Sequence, residues 1–309
     1  MVKRLVEREF HPPCPVRDLQ DLVRYRKKVV GQTASEKNRI IKVLEDANIK
    51  LSGVLSNVDG AVGTKIIKEL TDGETSVDKL MSHYHGRQKV SREEFRKALD
   101  GKVRDHHRLM LQLHKNSISD KEGQLKALDE AIDRASAAYK VEIELLQTIP
   151  GVGKASAVDI ISETGADMSR FPDETHLSSW SGMSPGNCET GGKKKTVKTV
   201  HGNSHLQSTL VECGWGATRK KDCYFKRKYE SLVSRRGKKK ALVAVGHKII
   251  IAVYHVIKDK KAYMEPVLHE NPRKQKKQIK YYMNRLKELG VEIKDSGGRF
   301  FTEAQSARK

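Results

Sequence analysis

Apolar residues in the first part of the chain fall at helical intervals: Leu19, Leu22, Val29, Ile40, Leu44, Leu51 and Leu55 recur by threes, fours and their sums. No proline interrupts them before Asp59-Gly60, so the pattern predicts one long helix. About 40 residues at about 1.5 Å each span roughly 60 Å, more than one small core covers, and such a helix needs helical partners. A second run, Leu125, Leu128, Ile132, Ala135, Tyr139, Ile143 and Leu146, steps by threes and fours and predicts a coiled-coil seam. That seam closes either on the first helix as an antiparallel hairpin or on a second chain; the spacing satisfies both. Between the runs, Gly60, Gly63, Gly73, Gly86 and Gly101 punctuate shorter helices.

From Thr148 the composition shifts to glycine, serine and lysine, which puts a domain boundary near Leu146. Two later patterns predict core helices: Leu206, Leu210, Cys213 and Ala217, then Leu242, Val245, Ile249, Val253 and Val256. Pro272 to Gly290 carries seven Lys or Arg with Ile279, Tyr282, Leu286 and Leu289, a basic amphipathic helix ending at a glycine. The expected fold is mainly α. Its organisation reads as an N-terminal linker 1–16, a helical and coiled-coil assembly region 17–146, a compact domain 147–262, and a basic helix with tail 263–309.

Charge narrows the partners. The 309 residues include 60 Lys plus Arg against 39 Asp plus Glu, a net +21. Such a surplus points to a polyanion, because each neutralised phosphate releases counterions. No run of 18 apolar residues occurs and Met1 to Phe10 has no signal-peptide core, so no membrane partner and a cytoplasmic, nucleoid-associated location are expected. Cys14, Cys188, Cys213 and Cys223 contain no pair two to four residues apart, and read as reduced thiols. His11 with Cys14, and His201 with His205, each offer half a metal site without a second half. No metal and no cofactor is therefore expected on this chain.

Three segments carry candidate chemistry. In Leu145-Leu146-Gln147-Thr148-Ile149-Pro150-Gly151-Val152-Gly153-Lys154 a glycine turn joins two helices, as in a helix-hairpin-helix. Glycines beside an electropositive helix N-terminus let backbone N–H groups approach a phosphate, which makes Pro150, Gly151, Gly153 and Lys154 candidate DNA or RNA contacts. A capped turn between two core helices has the same sequence signature. Next, Leu177-Ser178-Ser179-Trp180-Ser181-Gly182 leads through Pro185-Gly186-Asn187-Cys188-Glu189-Thr190-Gly191-Gly192 into Lys193, Lys194, Lys195 and Lys198. Small residues around a hydroxyl, followed by cations, suit presentation of an alcohol to a phosphodiester, although a solvated loop has the same composition. Last, Arg235, Arg236, Lys238, Lys239 and Lys240 put five cations in six residues beside a core helix, and read as backbone contacts to nucleic acid.

These motifs occur in a telling order. Thr148-Ile149-Pro150-Gly151-Val152-Gly153, Phe171, Leu177 to Gly182, Pro185-Gly186-Asn187, Gly192-Lys193, Gly202-Asn203, Arg235 to Ala241 and Val245-Gly246-His247 together resemble the IS one-ten, IS one-sixteen and IS nine-oh-two family of insertion-sequence transposases. Arg17-Asp18-Leu19, Arg24-Tyr25-Arg26 and Leu44 to Leu51 are similar to the stretch that family places ahead of its coiled coil. The resemblance implies a DNA transposase that works with a structured bridge RNA, assembles through a coiled coil, and joins a serine nucleophile to an N-terminal RNase H-like domain. In that domain four acidic residues hold magnesium.

This chain departs from the family pattern twice. Nothing in it matches the acidic domain, and Glu163, Asp167, Asp173, Glu174 and Glu189 lack its spacing and read as helix-cap or surface residues. A truncated chain that does not catalyse alone is expected, with magnesium assigned to the absent domain. The family's serine is Thr190 here, a hydroxyl with a methyl that stiffens and crowds it. Two other readings stay open: a non-catalytic DNA- and RNA-binding regulatory remnant that assembles with full-length transposase, and a helix-hairpin-helix accessory protein of DNA repair.

Overall fold

A computed structural model describes residues 14–86, 90–186, 189–190, 193–194, 199–266, 279, 281–286 and 288–289. It forms two compact units, Met1–Tyr263 and Met264–Lys309. In chain order the first contains α1 (Cys14–Asp46), α2 (Leu51–Val54), α3 (Ala61–Thr71), α4 (Val77–Leu80), α5 (Arg92–Ala98), α6 (Asp105–Ser136), α7 (Lys140–Leu146), α8 (Lys154–Thr164) and α9 (Glu174–Trp180). There follow two short strands, β1 (Glu189–Thr190) and β2 (Lys193–Lys194), then α10 (Ser204–Ala217), α11 (Tyr224–Arg236) and α12 (Lys238–Asp259). The fold is mainly α.

Helices α1 and α6 form the long hairpin. Arg26 meets Asp129, Glu36 accepts from His114 at 2.8 Å, and Asp46 accepts from His107 at 2.7 Å. The numbers rise on one helix as they fall on the other, so the pair is antiparallel and lies within one chain. The seam is unevenly packed, with Ile132 buried and Leu125 and Leu128 only half-buried.

The first helix stops sooner than its apolar periodicity suggests. Asn48 takes φ 60°, a left-handed conformation that asparagine tolerates, and its side-chain amide donates to the Asp100 carbonyl at 3.0 Å. Ile49 and Leu51 then turn into a local core with Ile40, Leu44, Ile66, Leu70, Phe95 and Leu99. Gly63 is a packing residue inside α3, whereas Gly101 does separate α5 from α6 and is a close packing site as well. A Cβ on Gly63, inside α3, would lie 1.9 Å from the Val58 carbonyl, and one on Gly101 would lie 2.3 Å from the Ala47 carbonyl.

A second core forms at the other end of the hairpin. Leu19, Val23, Ile132 and Leu146 share it with Ile160 and Ile161 of α8, Leu206 and Leu210 of α10, and Val245, Ile249 and Val253 of α12. The composition shift near Leu146 therefore marks a change in chemistry within one core. Helix α12 is the central member, touching α9, α10 and α11. By length and composition it is apolar enough to cross a membrane, but Ala241, Val245, Ile249, Ile250 and Val253 are fully buried in this core.

In the second unit residues 281–286 are helical, with Tyr281, Tyr282 and Leu286 exposed. The rest of the expected Pro272 to Gly290 helix lies almost wholly outside the described residues.

Candidate nucleic-acid interface

The loop that carries Thr190 leaves and returns through a closed clasp. Asp173 caps α9, its Oδ1 accepting from the Thr175 and His176 backbone N–H groups at 2.8 Å each. At the far end of α9 the Ser178 carbonyl accepts from Met183 and Ser184, at 3.0 and 3.2 Å. The returning strand closes on this turn. Val200 donates to the Ser184 carbonyl at 3.1 Å, Asn203 to the Trp180 carbonyl at 3.0 Å, and Pro185 and Thr199 form an antiparallel bridge. A Cβ on Gly202 would lie 2.2 Å from the Gly182 nitrogen, so only glycine lets the two backbones meet.

Beyond the clasp β1 and β2 pair antiparallel, Thr190 opposite Lys193 and Glu189 opposite Lys194. The hydroxyl-bearing residue and the lysines thus share one hairpin; Gly191, Gly192, Lys195 and Lys198 lie outside the described residues. Three neighbouring hydroxyls are occupied: Ser178 and Ser181 are fully buried, Ser178 bonded to the Ser184 hydroxyl at 2.9 Å and Ser181 donating to the Ser178 carbonyl at 2.9 Å, while Ser179 is exposed.

Glu163 contradicts its reading as a cap or surface residue. It is 3% exposed on α8 and accepts from Gln20 at 2.8 Å, twice from Arg24 at 2.8 and 2.7 Å, and from Asn203 at 2.6 Å. Burial works to raise its pKa, but the bonds from Arg24 and Asn203 outweigh it and hold the carboxyl below the ordinary value. Asn203 faces two ways, because its Oδ1 also accepts from His205 and Leu206 at 3.1 Å each and so caps α10. One carboxylate thereby ties α1, α8, the clasp and α10 together. Lys27 adds a parallel link, to Asp159 at 2.7 Å and to the Thr209 hydroxyl at 2.8 Å.

The glycine turn is half packed and half open. Pro150 is buried, and Gly151, at φ +89°, sits so close to α10 that a Cβ would lie 2.2 Å from the Cys213 carbonyl. Gly153 is exposed in an extended conformation with nothing within 4 Å of a Cβ position. No side chain caps α8, whose first residue Lys154 reaches Asp133 at 2.8 Å.

At the other candidate, Arg235 and Arg236 close the last turn of α11, Gly237 turns the chain at φ +78°, and Lys238, Lys239 and Lys240 open α12. All five cations are exposed. Two stand where a helix dipole favours positive charge, but three stand at its positive end, with no acid in that first turn and no side-chain cap. Folding alone gives no reason for three lysines there.

Residues 143–230 match the family described as Transposase IS116/IS110/IS902. No curated protein matches the chain. The IS110-type segment runs from α7 into α11 and takes in the glycine turn, the clasp, Glu163, Thr190 and Asn203. It supports an insertion-sequence transposase function, a DNA recombinase by class that interacts with DNA.

Four acids of this segment, each engaged by protein groups, do not fit the magnesium of the resemblance. Asp159 is held by Lys27, Glu163 by Arg24, and Asp167 and Asp173 by backbone N–H groups. Elsewhere Asp46, His106 and His107 come together, but His107 already uses both ring nitrogens, toward the Arg104 N–H at 3.1 Å and Asp46 at 2.7 Å. His201 and His205 are exposed, and His11 lies outside the described residues.

Proposed function

We propose that this chain is the DNA- and RNA-engaging, hydroxyl-bearing part of an insertion-sequence transposase, and that the exposed cations from Arg235 to Lys240 are its main phosphate-binding group. The observation that carries this is the three lysines at the uncapped, positive end of α12, an arrangement unfavourable within the chain and favourable beside a polyanion. Gly153 supports it, since neither its conformation nor any neighbour demands glycine. Base pairing with a guide RNA would select sequence while the protein reads backbone.

A salt titration tests the reading. Binding of the chain to duplex DNA and to structured RNA falls steeply with salt. Alanine at Arg235, Arg236, Lys238, Lys239 and Lys240 lowers the log–log slope on duplex DNA by about four, close to 0.9 for each phosphate left without its cation. A slope unchanged by the five substitutions refutes the assignment.

Thr190 is the proposed nucleophile. Its hydroxyl oxygen forms an ester to phosphorus, the bond to the leaving sugar oxygen breaks, and the hydroxyl proton ends on that sugar oxygen. Asp159, Glu163, Asp167 and Asp173 are already engaged, so strand transfer is expected only when a relative's acidic domain is supplied in trans. There Thr190→Ser raises product by removing the crowding methyl and Thr190→Ala abolishes it. Transfer that survives in Thr190→Ala excludes this residue, whereas no transfer with any residue at 190 favours the regulatory reading.

A further inference from the structure

Helix α10 carries a large aromatic ring on its outer side, in a chain with only two tryptophans. Trp215 is 46% exposed. Its flanking residues explain the orientation: Gly214 lies close to the Leu242 carbonyl of α12, and Gly216 lies against Gly151 of the glycine turn, so the helix packs through the glycines and the indole faces out. One turn later the Arg219 guanidinium stands over the ring, 5.5 Å from its centre. Arg219, Lys220 and Lys221 are exposed in the stretch that leads to α11. On the other flank Gly153 and Lys154 are exposed at the uncapped start of α8.

Trp215 is not a member of the buried cluster beneath it, and close to half of it stays exposed. The ring presents a broad π-face that any nucleobase matches, and the cations around it suit the phosphates on either side of a base. Duplex DNA offers no free base face except at its ends, whereas a strand opened for recombination does. We propose that Trp215 and Arg219 form a stacking platform for an unpaired base of DNA, flanked by phosphate-binding groups at Lys220, Lys221 and the glycine turn. This rests on the reading of the chain as a DNA-engaging transposase, and deepens it by naming unpaired DNA as a ligand.

The test compares the full chain with Trp215→Ala, Trp215→Leu and Trp215→Phe on an oligothymidylate, an oligouridylate and a blunt duplex of equal length. Trp215→Ala and Trp215→Leu are expected to weaken oligothymidylate binding about tenfold, within the range for removing one base–aromatic stack, while Trp215→Phe retains most of it. Duplex affinity stays within about twofold, and the salt slope holds because no charge is removed. Indole fluorescence quenched by oligothymidylate in the native chain loses most of that quenching in Trp215→Phe. Equal weakening on single strand and duplex, or none on either, overturns the platform. Weakening confined to the oligouridylate overturns the DNA assignment. If the native chain binds duplex DNA but not oligothymidylate, this inference fails and the broader reading stands; if it binds no nucleic acid, both fail.

Discussion

Gly151→Ala is expected to destabilise the first unit by roughly 3 kcal/mol, and the same change at Gly153 by about 1 kcal/mol or less. At Gly151 two costs add. The backbone is left-handed at φ +89°, and the new Cβ would lie 2.2 Å from the Cys213 carbonyl and 2.6 Å from the Ala217 nitrogen. Both atoms belong to the backbone of α10, so no side chain can swing aside; the turn or the helix must move. At Gly153 the φ is −92° and the Cβ meets nothing, so only the N-cap preference for glycine over alanine remains, about 1 kcal/mol or less. Thermal denaturation should therefore show Gly151→Ala melting about 6–12 °C lower, at 2–4 °C per kcal/mol for a unit of this size. Gly153→Ala should melt no more than about 4 °C below the native chain but bind duplex DNA several-fold more weakly, because its methyl intrudes where a phosphate oxygen would approach. A Gly151→Ala protein with native Tm refutes the packing role, and native affinity in Gly153→Ala refutes phosphate approach at the turn.

That contrast shows where the sequence was readable. Period-3.6 patterns identify the core helices well: Leu206, Leu210, Cys213 and Ala217 are all buried on α10, and Val245, Ile249, Val253 and Val256 on α12, with Leu242 half-buried. Burial repeats along a helix, and repeats are visible in one dimension. The roles of individual glycines are not, since Gly151 owes its role to a left-handed backbone and to α10 standing beside it, neither of which Gly153 shares. The same holds for Gly63, which reads as punctuation but lies inside α3, and for Gly101, which separates two helices and is also a site of close backbone approach. The length of α1 was overestimated because Leu51 and Leu55 continue its period, while a single left-handed Asn48 redirects them into another core.

In the candidate site, the cation run at 235–240 and the loop around Thr190 stand out by composition and by order along the chain, but the pairing of Glu189–Thr190 with Lys193–Lys194 does not. Glu163 was not. Its partners Gln20, Arg24 and Asn203 come from both sides of it in sequence, the first two more than a hundred residues away, and nothing local marks a carboxylate that will be buried. The usable signal was indirect: an acid in the run Ile160-Ile161-Ser162-Glu163-Thr164 has apolar neighbours, and a buried acid requires a cation partner.

Glu163→Ala is expected to cost about 3–5 kcal/mol at neutral pH, the range for breaking a buried pair by removing one member. The lower part of that range applies, since Arg24 is about one-third exposed and water recovers part of its charge. The remaining donors from Gln20 and Asn203 have no replacement acceptor in alanine, so Glu163→Gln, which retains one carbonyl oxygen, should lose less. The effect is also local. Asn203 would be released from Glu163 while still capping α10, and hydrogen exchange at Val200 and Asn203 should quicken relative to Val245 deep in the core. Acid should reveal the charge itself. The folded carboxyl titrates below the ordinary value of 4.5, so its stabilising contribution is complete above about pH 4.5 and is lost as the pH falls through the lower folded value. In urea denaturation the native chain should then lose stability more steeply below pH 4.5 than Glu163→Ala, and the two curves should converge. Parallel decline of the two proteins would show that Glu163 is not held as a charged group, and would remove the electrostatic basis for its hold on Asn203.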